Sequence, residues 1–212
     1  MLGKNQEIIG ELNPPRSASG DAETPRSLPD VRLENRTLTL AEANCLHEEL
    51  KSTPNILGYT VSEILRFSDV LVAVAIDTDG TEMFAGVCVS KELLWGWTEI
   101  AVLYVLPAFR GRRLSTQLFT TAFAQAQERG RHIFTLSRSP EAIHLMKRLG
   151  MEMSGSAWKA PLAVHLEMNW HMMSTYRWRE ASRKMKIRKD DGFAFVSGIK
   201  RCDKAQTAND AK

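Results

Sequence analysis

The sequence predicts one mixed α/β domain with strands and helices interleaved, and three observations predict it. Two apolar runs, 70–77 and 83–90, flank Thr78, Asp79, Gly80 and Thr81, the pattern of a β-hairpin closed by an Asp-Gly turn. Glu99 to Val105 is apolar after its first residue, as in a central strand covered on both faces. Leu114, Leu118, Phe119, Ala122, Phe123 and Ala126 then recur at helical spacing, and a short apolar run follows at 133–136. That order is a strand–helix–strand unit.

Taken along the chain, residues 1–29 are rich in Pro, Ser, Gly and charge and read as a flexible N-terminal tail. Thr39 to Leu50 reads as a helix, with Thr39 as its cap and Glu42 three residues on, the spacing of a capping box. Thr60 opens a second helix to Phe67. Gly130 stands where the helix begun near 113 should stop. Ser139, Pro140 and Glu141 open another in good order: cap, proline in the first position, acid in the first turn. Ala142, Leu145, Met146 and Leu149 are its apolar stripe, and Gly150 closes it. Residues 165–172 alternate strictly, with Leu166, Met168, Trp170 and Met172 against His165, Glu167, Asn169 and His171, which predicts a half-buried strand. Tyr176 to Lys189 is basic and helical in pattern, Phe193 to Ile199 is apolar enough to return as a strand, and 203–212 should fray.

The expected organisation is therefore a tail (1–29), a domain (30–173) and a basic C-terminal extension (174–212). A chain of 212 residues holds one domain with a real core. Apolar residues at 43% and charged residues at 25% exclude wholesale disorder. Cys45, Cys88 and Cys202 are odd in number and lack metal or redox spacing, so reduced thiols are expected. No signal-peptide core opens the chain, and Val70 to Ile76 is too short to span a bilayer, so a cytoplasmic protein without a membrane partner is expected. The net charge of +3 is uneven. Between Met172 and Lys204 ten basic residues meet four acidic ones, leaving that stretch at +6 and the rest at −3.

The chemistry concentrates at the end of the central strand. A buried strand ends at Pro107, a loop with Arg110, Gly111, Arg112 and Arg113 follows, and a helix begins. Free N–H groups at a helix N-terminus, its dipole and arginine forks all favour a phosphate-bearing ligand. The competing reading is arginines that merely solvate a helix start.

The stretch VLPAFRGRRLS at 105–115 resembles motif A of the GNAT N-acetyltransferases, and AIHLMKRLGM at 142–151 resembles their motif B. The resemblance covers about 31–172. It implies a mixed, mostly antiparallel sheet flanked by helices, with a parallel, splayed central strand pair. It implies an acyl-CoA donor, acetyl-CoA or another, whose pyrophosphate is held across Arg110, Gly111, Arg112, Arg113, Leu114 and Ser115. The pantetheine arm would pair with the strand edge at Leu103, Tyr104 and Val105. An amine on a small molecule or protein would attack the thioester directly. Two departures stand in motif A: Arg113 replaces the first motif glycine and Ser115 the second Gly/Ala. In motif B, Met146 occupies the place where many members carry a tyrosine acid, and methionine donates no proton.

Deprotonating an amine needs a base. Glu99 lies eleven residues before Arg110, the spacing of the glutamate base in histone-acetylating members, and burial would raise its pKa. A solvent-facing carboxylate is the plainer reading. Trp95 and Trp97 either wall an acceptor pocket or fill core. The polar face at 165–171 suits solvent or an acceptor better than zinc, and no metal is assigned. The basic segment at 176–189 is a solvated helix or a contact for nucleic acid, ribosome or an acidic protein. Two alternatives to acetyl transfer stay open: a catalytically weak binding or regulatory module, and transfer from a longer acyl-CoA or an acyl-carrier protein.

Overall fold

The computed structural model describes residues 30–53, 56, 58–155, 160–172, 175–187 and 195–202. The expected tail at 1–29 and the fraying end at 203–212 lie outside them. Among the described residues, seven strands form one sheet: β1 (Asp30–Asn35), β2 (Asp69–Ile76), β3 (Glu82–Glu92), β4 (Trp97–Val105), β5 (His132–Ser137), β6 (Glu152–Ser154) and β7 (Val196–Lys200). Their order is β1-β2-β3-β4-β5-β7-β6. Every neighbouring pair is antiparallel except β4–β5, which is parallel. Helices α1 (Leu40–Ser52), α2 (Val61–Ile64), α3 (Leu114–Glu128), α4 (Pro140–Arg148), α5 (Leu162–Met172) and α6 (Thr175–Ile187) flank it.

Alternation along β2 and β3 divides the core. Leu71, Ala73 and Ala75 of β2, with Ala85 and Cys88 of β3, lie under α3, whose Leu118, Phe119, Ala122 and Phe123 fill the space above these small side chains. Val70, Val72, Val74, Val87 and Val89 face the other way, against Ala43, Leu46 and Leu50 of α1 and Ile64 of α2. Tyr59 joins that second core. Both helices on this side start with full capping boxes. Thr39 Oγ1 accepts from Glu42 N while Glu42 Oε2 accepts from Thr39 N, and Thr60 and Glu63 repeat the arrangement. Arg36 forks onto Glu42 at 2.6 and 2.8 Å and fixes the chain entering α1.

One expectation changes. Residues 165–172 are helical, within α5, not a strand. Leu, Ala, Met and Glu are good helix formers, and Leu162 to Glu167 continue the same turn, so the polar–apolar alternation was coincidental to the backbone. At 100° per residue, 165 and 167 no longer share a face. The return strand expected at 193–199 is present as β7, at Val196–Lys200. Between β5 and β6, β7 pairs with both, in registers such as Phe134–Ile199 and Met153–Gly198. Glycine gives room there, because a Cβ on Gly198 would lie 3.0 Å from Met146 Sδ. Neither β1 nor β6 was foreseen.

Candidate active site

The site is built where β4 parts from β5. Their parallel pairing runs from Trp97–His132 to Ile100–Thr135 and stops, although β4 continues to Val105 and β5 to Ser137. The cause lies on the other edge of β4. Val89 pairs with Val102 and Ser90 with Ile100, so Ala101 is an extra residue, a bulge. A bulge bends its strand and increases local twist. The bend coincides with the last β4–β5 pair, whose end Thr135 Oγ1 seals by donating to Ile100 O at 2.9 Å. Beyond it, the edge of β4 at Leu103, Tyr104 and Val105 has no β5 partner among the described residues.

The basic loop lies at the mouth of this gap. A 3-10 turn (Pro107–Phe109) leads to Gly111 at φ +79° and Arg113 at φ +58°. Arg113 is the N-cap of α3, and among the described residues no side chain caps the helix, so its first-turn N–H groups at Leu114 and Ser115 stay available. The three arginines differ. Arg110 turns inward: Nε donates to Val105 O and Nη2 to Tyr104 Oη, each at 3.1 Å. Tyr104 in turn donates to Glu49 of α1, and burial followed by that carboxylate pushes its pKa up to about 12. Arg110 thus ties the loop to β4 and α1, rather than reaching outward. Arg112 stacks on Phe109 at 5.7 Å, with its Nη1 buried and without a hydrogen-bond partner among the described residues. Arg113 is exposed. One buried, unpartnered guanidinium nitrogen beside the helix start and an open Gly111 fit an anionic, phosphate-bearing donor.

Glu99 is half-buried, two residues into β4 after Trp97 and on the same face. Burial first, then Glu167 of α5, hold its carboxyl above the ordinary range, while Lys91 and Arg177 oppose them. Lys91 is its register partner on β3, and burial lowers the Lys91 pKa. The two tryptophans separate. Trp97 is core, packed with Leu93, Phe134, Ala163, Val164 and Ile199. Trp95 is 61% exposed, at φ +54°, held out by a turn in which Leu93 N donates to Trp97 O at 2.7 Å. Met146 is fully buried against β7 and offers no proton. Among the described residues, no group of three metal-ligating side chains occurs. No helix among them is long and apolar enough to cross a membrane.

Sequence reasoning missed Tyr59, Lys91 and Arg177. Tyr59 is buried, its pKa pushed up to about 12 by burial and by Glu99. Arg177 stands 114 positions from its ion-pair partner Glu63, and no local spacing announces such a contact.

A model of the acetyltransferase (GNAT) family matches residues 39–151. No curated protein sequence matches the chain. Among solved structures, the chain is similar to N-acetylglutamate synthase from Neisseria gonorrhoeae, complexed with coenzyme A and N-acetyl-glutamate. That match has TM-score 0.53 and 15% identity, covering 81% of this chain and 36% of the other. It is also similar to Rv2747 from Mycobacterium tuberculosis, in complex with CoA and NLQ, at TM-score 0.53 and 16% identity, covering 80% and 98%. At these identities the likeness is one of fold.

Proposed function

The chain belongs to the GNAT acetyltransferase family and is an acyl-CoA-dependent N-acetyltransferase, and from that premise we propose which of its residues hold the donor and move the proton. The donor supplies an acyl group activated as a thioester, which an amine acceptor attacks directly. The observation that carries the assignment is the end of β4–β5 pairing at Ile100–Thr135, opposite the uncapped start of α3. In this reading the free edge at Leu103, Tyr104 and Val105 receives the amide-bearing arm. Backbone N–H groups from Gly111 to Ser115 receive the pyrophosphate, and Arg112 adds its unpartnered guanidinium nitrogen. Arg110 acts from behind, fastening the loop. Arg113 supplies a backbone position and an exposed charge.

Glu99 is the base in this reading. A carboxyl whose pKa is lifted toward neutrality accepts a proton from an ammonium more readily than an ordinary one. Trp97 shapes the floor beside it, and Trp95 stands at the rim of the acceptor approach. The acceptor is a small amine or a protein amine. The unit that performs the reaction extends from about Asp30 through β7, because β7 completes the sheet beside β5.

Calorimetric titration with CoA and acetyl-CoA tests the donor assignment. Arg112→Ala should weaken binding by about tenfold, the loss of one charge-assisted contact. Unchanged affinity in Arg112→Ala would remove Arg112 from the donor site. A companion pH–rate profile tests the base: Glu99→Gln should abolish the acid limb.

A further inference from the structure

Glu99 lies among charges that four separate segments supply. Lys91 of β3 is its register partner, with Nζ 5.0 Å from the centre of the Tyr59 ring and 5.7 Å from that of Phe67. Arg177 of α6 lies over the same Tyr59 ring at 4.5 Å and pairs with Glu63 of α2 at 3.1 Å. Glu167 of α5 is one turn beyond Ala163 and Val164, which pack on Trp97. Glu63, Phe67, Lys91, Glu167 and Arg177 line one cavity of 560 Å³.

Arg177 is buried there, and its pairing with Glu63 offsets the cost of removing it from water. Its side chain is 6% exposed, and burying a guanidinium costs several kcal/mol unless it is paired. A helix that merely kept the chain soluble would point its arginines outward, as α6 does with Arg179. Instead α6 is clamped. Lys184, fully buried, donates to Leu50 O at 2.7 Å and to Ile56 O, and Arg183 donates to Lys51 O at 2.6 Å. Seven residues, two turns, separate Lys184 from Arg177, so both lie on one face of the helix. The clamp at the end of α1 thereby fixes the guanidinium over Tyr59.

We propose that Arg177 is a positioning residue of the transfer reaction: α6 brings its guanidinium to hold Tyr59 beside Glu99 and so completes the acceptor side of the site. This rests on Glu99 as the base. The groups around that carboxylate pull in two directions. Burial and Glu167 favour its protonated form, whereas Lys91 and Arg177 favour the carboxylate. Tyr59 and Glu63 complete the set, Tyr59 under both cations and Glu63 as the partner of Arg177.

The test uses the full chain labelled with 13C at glutamate carboxyls, the Glu99 resonance being identified by its loss in Glu99→Gln. In Arg177→Gln the Glu99 midpoint should rise by about 0.5 pH or more, the effect of one charge removed across partly solvated protein. In Glu167→Gln it should fall. Arg177→Lys, which keeps the charge, should restore most of the original value. Equal midpoints in these variants overturn the inference. A thermal melt monitors folding. If Arg177→Gln does not fold, Glu167→Gln decides: a lowered midpoint supports the charged wall and an unchanged one refutes it. CoA release from acetyl-CoA with a primary-amine panel separates the two levels. If Glu99→Gln leaves the pH–rate profile unchanged, the base assignment and this inference fall together. If Glu99→Gln removes the acid limb while Arg177→Gln leaves it in place, this inference alone falls.

Discussion

Replacing Arg113 with glycine should stabilise the protein. Arg113 caps α3 at φ +58°, ψ +16°, in the left-handed region. A side chain in that region costs about 1–2 kcal/mol through its Cβ. Glycine removes the strain but loses about 0.5–1 kcal/mol of chain entropy on folding. The net gain is about 0–1.5 kcal/mol, a rise in Tm of up to about 6 °C for a chain of this size. Arg113→Ala keeps the Cβ and should gain nothing. CoA affinity should fall by fivefold at most in either variant, since an exposed arginine contributes about 1 kcal/mol or less. Calorimetry of unfolding and of CoA binding on the same samples reads both quantities. A lower Tm in Arg113→Gly, or an equal rise in Arg113→Ala, would refute the strain argument. A hundredfold loss of CoA affinity would refute the assignment of the grip to the backbone and Arg112.

Further outcomes follow from other contacts. Gly86→Ala should destabilise by about 1–3 kcal/mol in denaturant melts, because a Cβ there meets Tyr104 O at 2.7 Å and forces β3 from β4. Lys184→Met should cost about 2 kcal/mol or more by leaving Leu50 O and Ile56 O without their donor, and should speed amide exchange in α6. The Glu42 pKa is lowered in the fold, first by Arg36, so the unfolded chain binds the extra proton. Its stabilisation is complete above the unfolded value of about 4.3 and is lost as pH falls through the folded value. Stability curves of Glu42→Gln and the parent should therefore converge in acid and diverge above about pH 5.

Much of this site was legible because its signals are local. The Asp-Gly hairpin, the capping box at Thr39, the cap at Thr60 and the arginine loop before Leu114 each lie within a dozen residues, and the backbone follows them, although the helix after Thr60 ends at Ile64 and not at Phe67. What escaped depends on distant partners. The bulge at Ala101 arises from its pairing with β3, and nothing in Glu99 to Val105 marks which residue is extra. The edge strand β1 reads as polar sequence, DVRLEN, because only one face is covered. Residues 165–172 alternate like a strand, yet helix formers and packing of Ala163 and Val164 on Trp97 decide for helix. The basic run at 176–189 looked like surface, whereas Arg177 and Lys184 are among its most buried side chains. Their partners, Glu63, Leu50 O and Ile56 O, are supplied more than a hundred residues earlier.

The central claim is that the gap between β4 and β5 and the start of α3 form one donor site. Hydrogen–deuterium exchange with and without saturating CoA addresses it directly. Slowed exchange concentrated at Leu103 to Val105 and Gly111 to Ser115 is the predicted result. Unchanged exchange at both segments, with CoA bound, would contradict it.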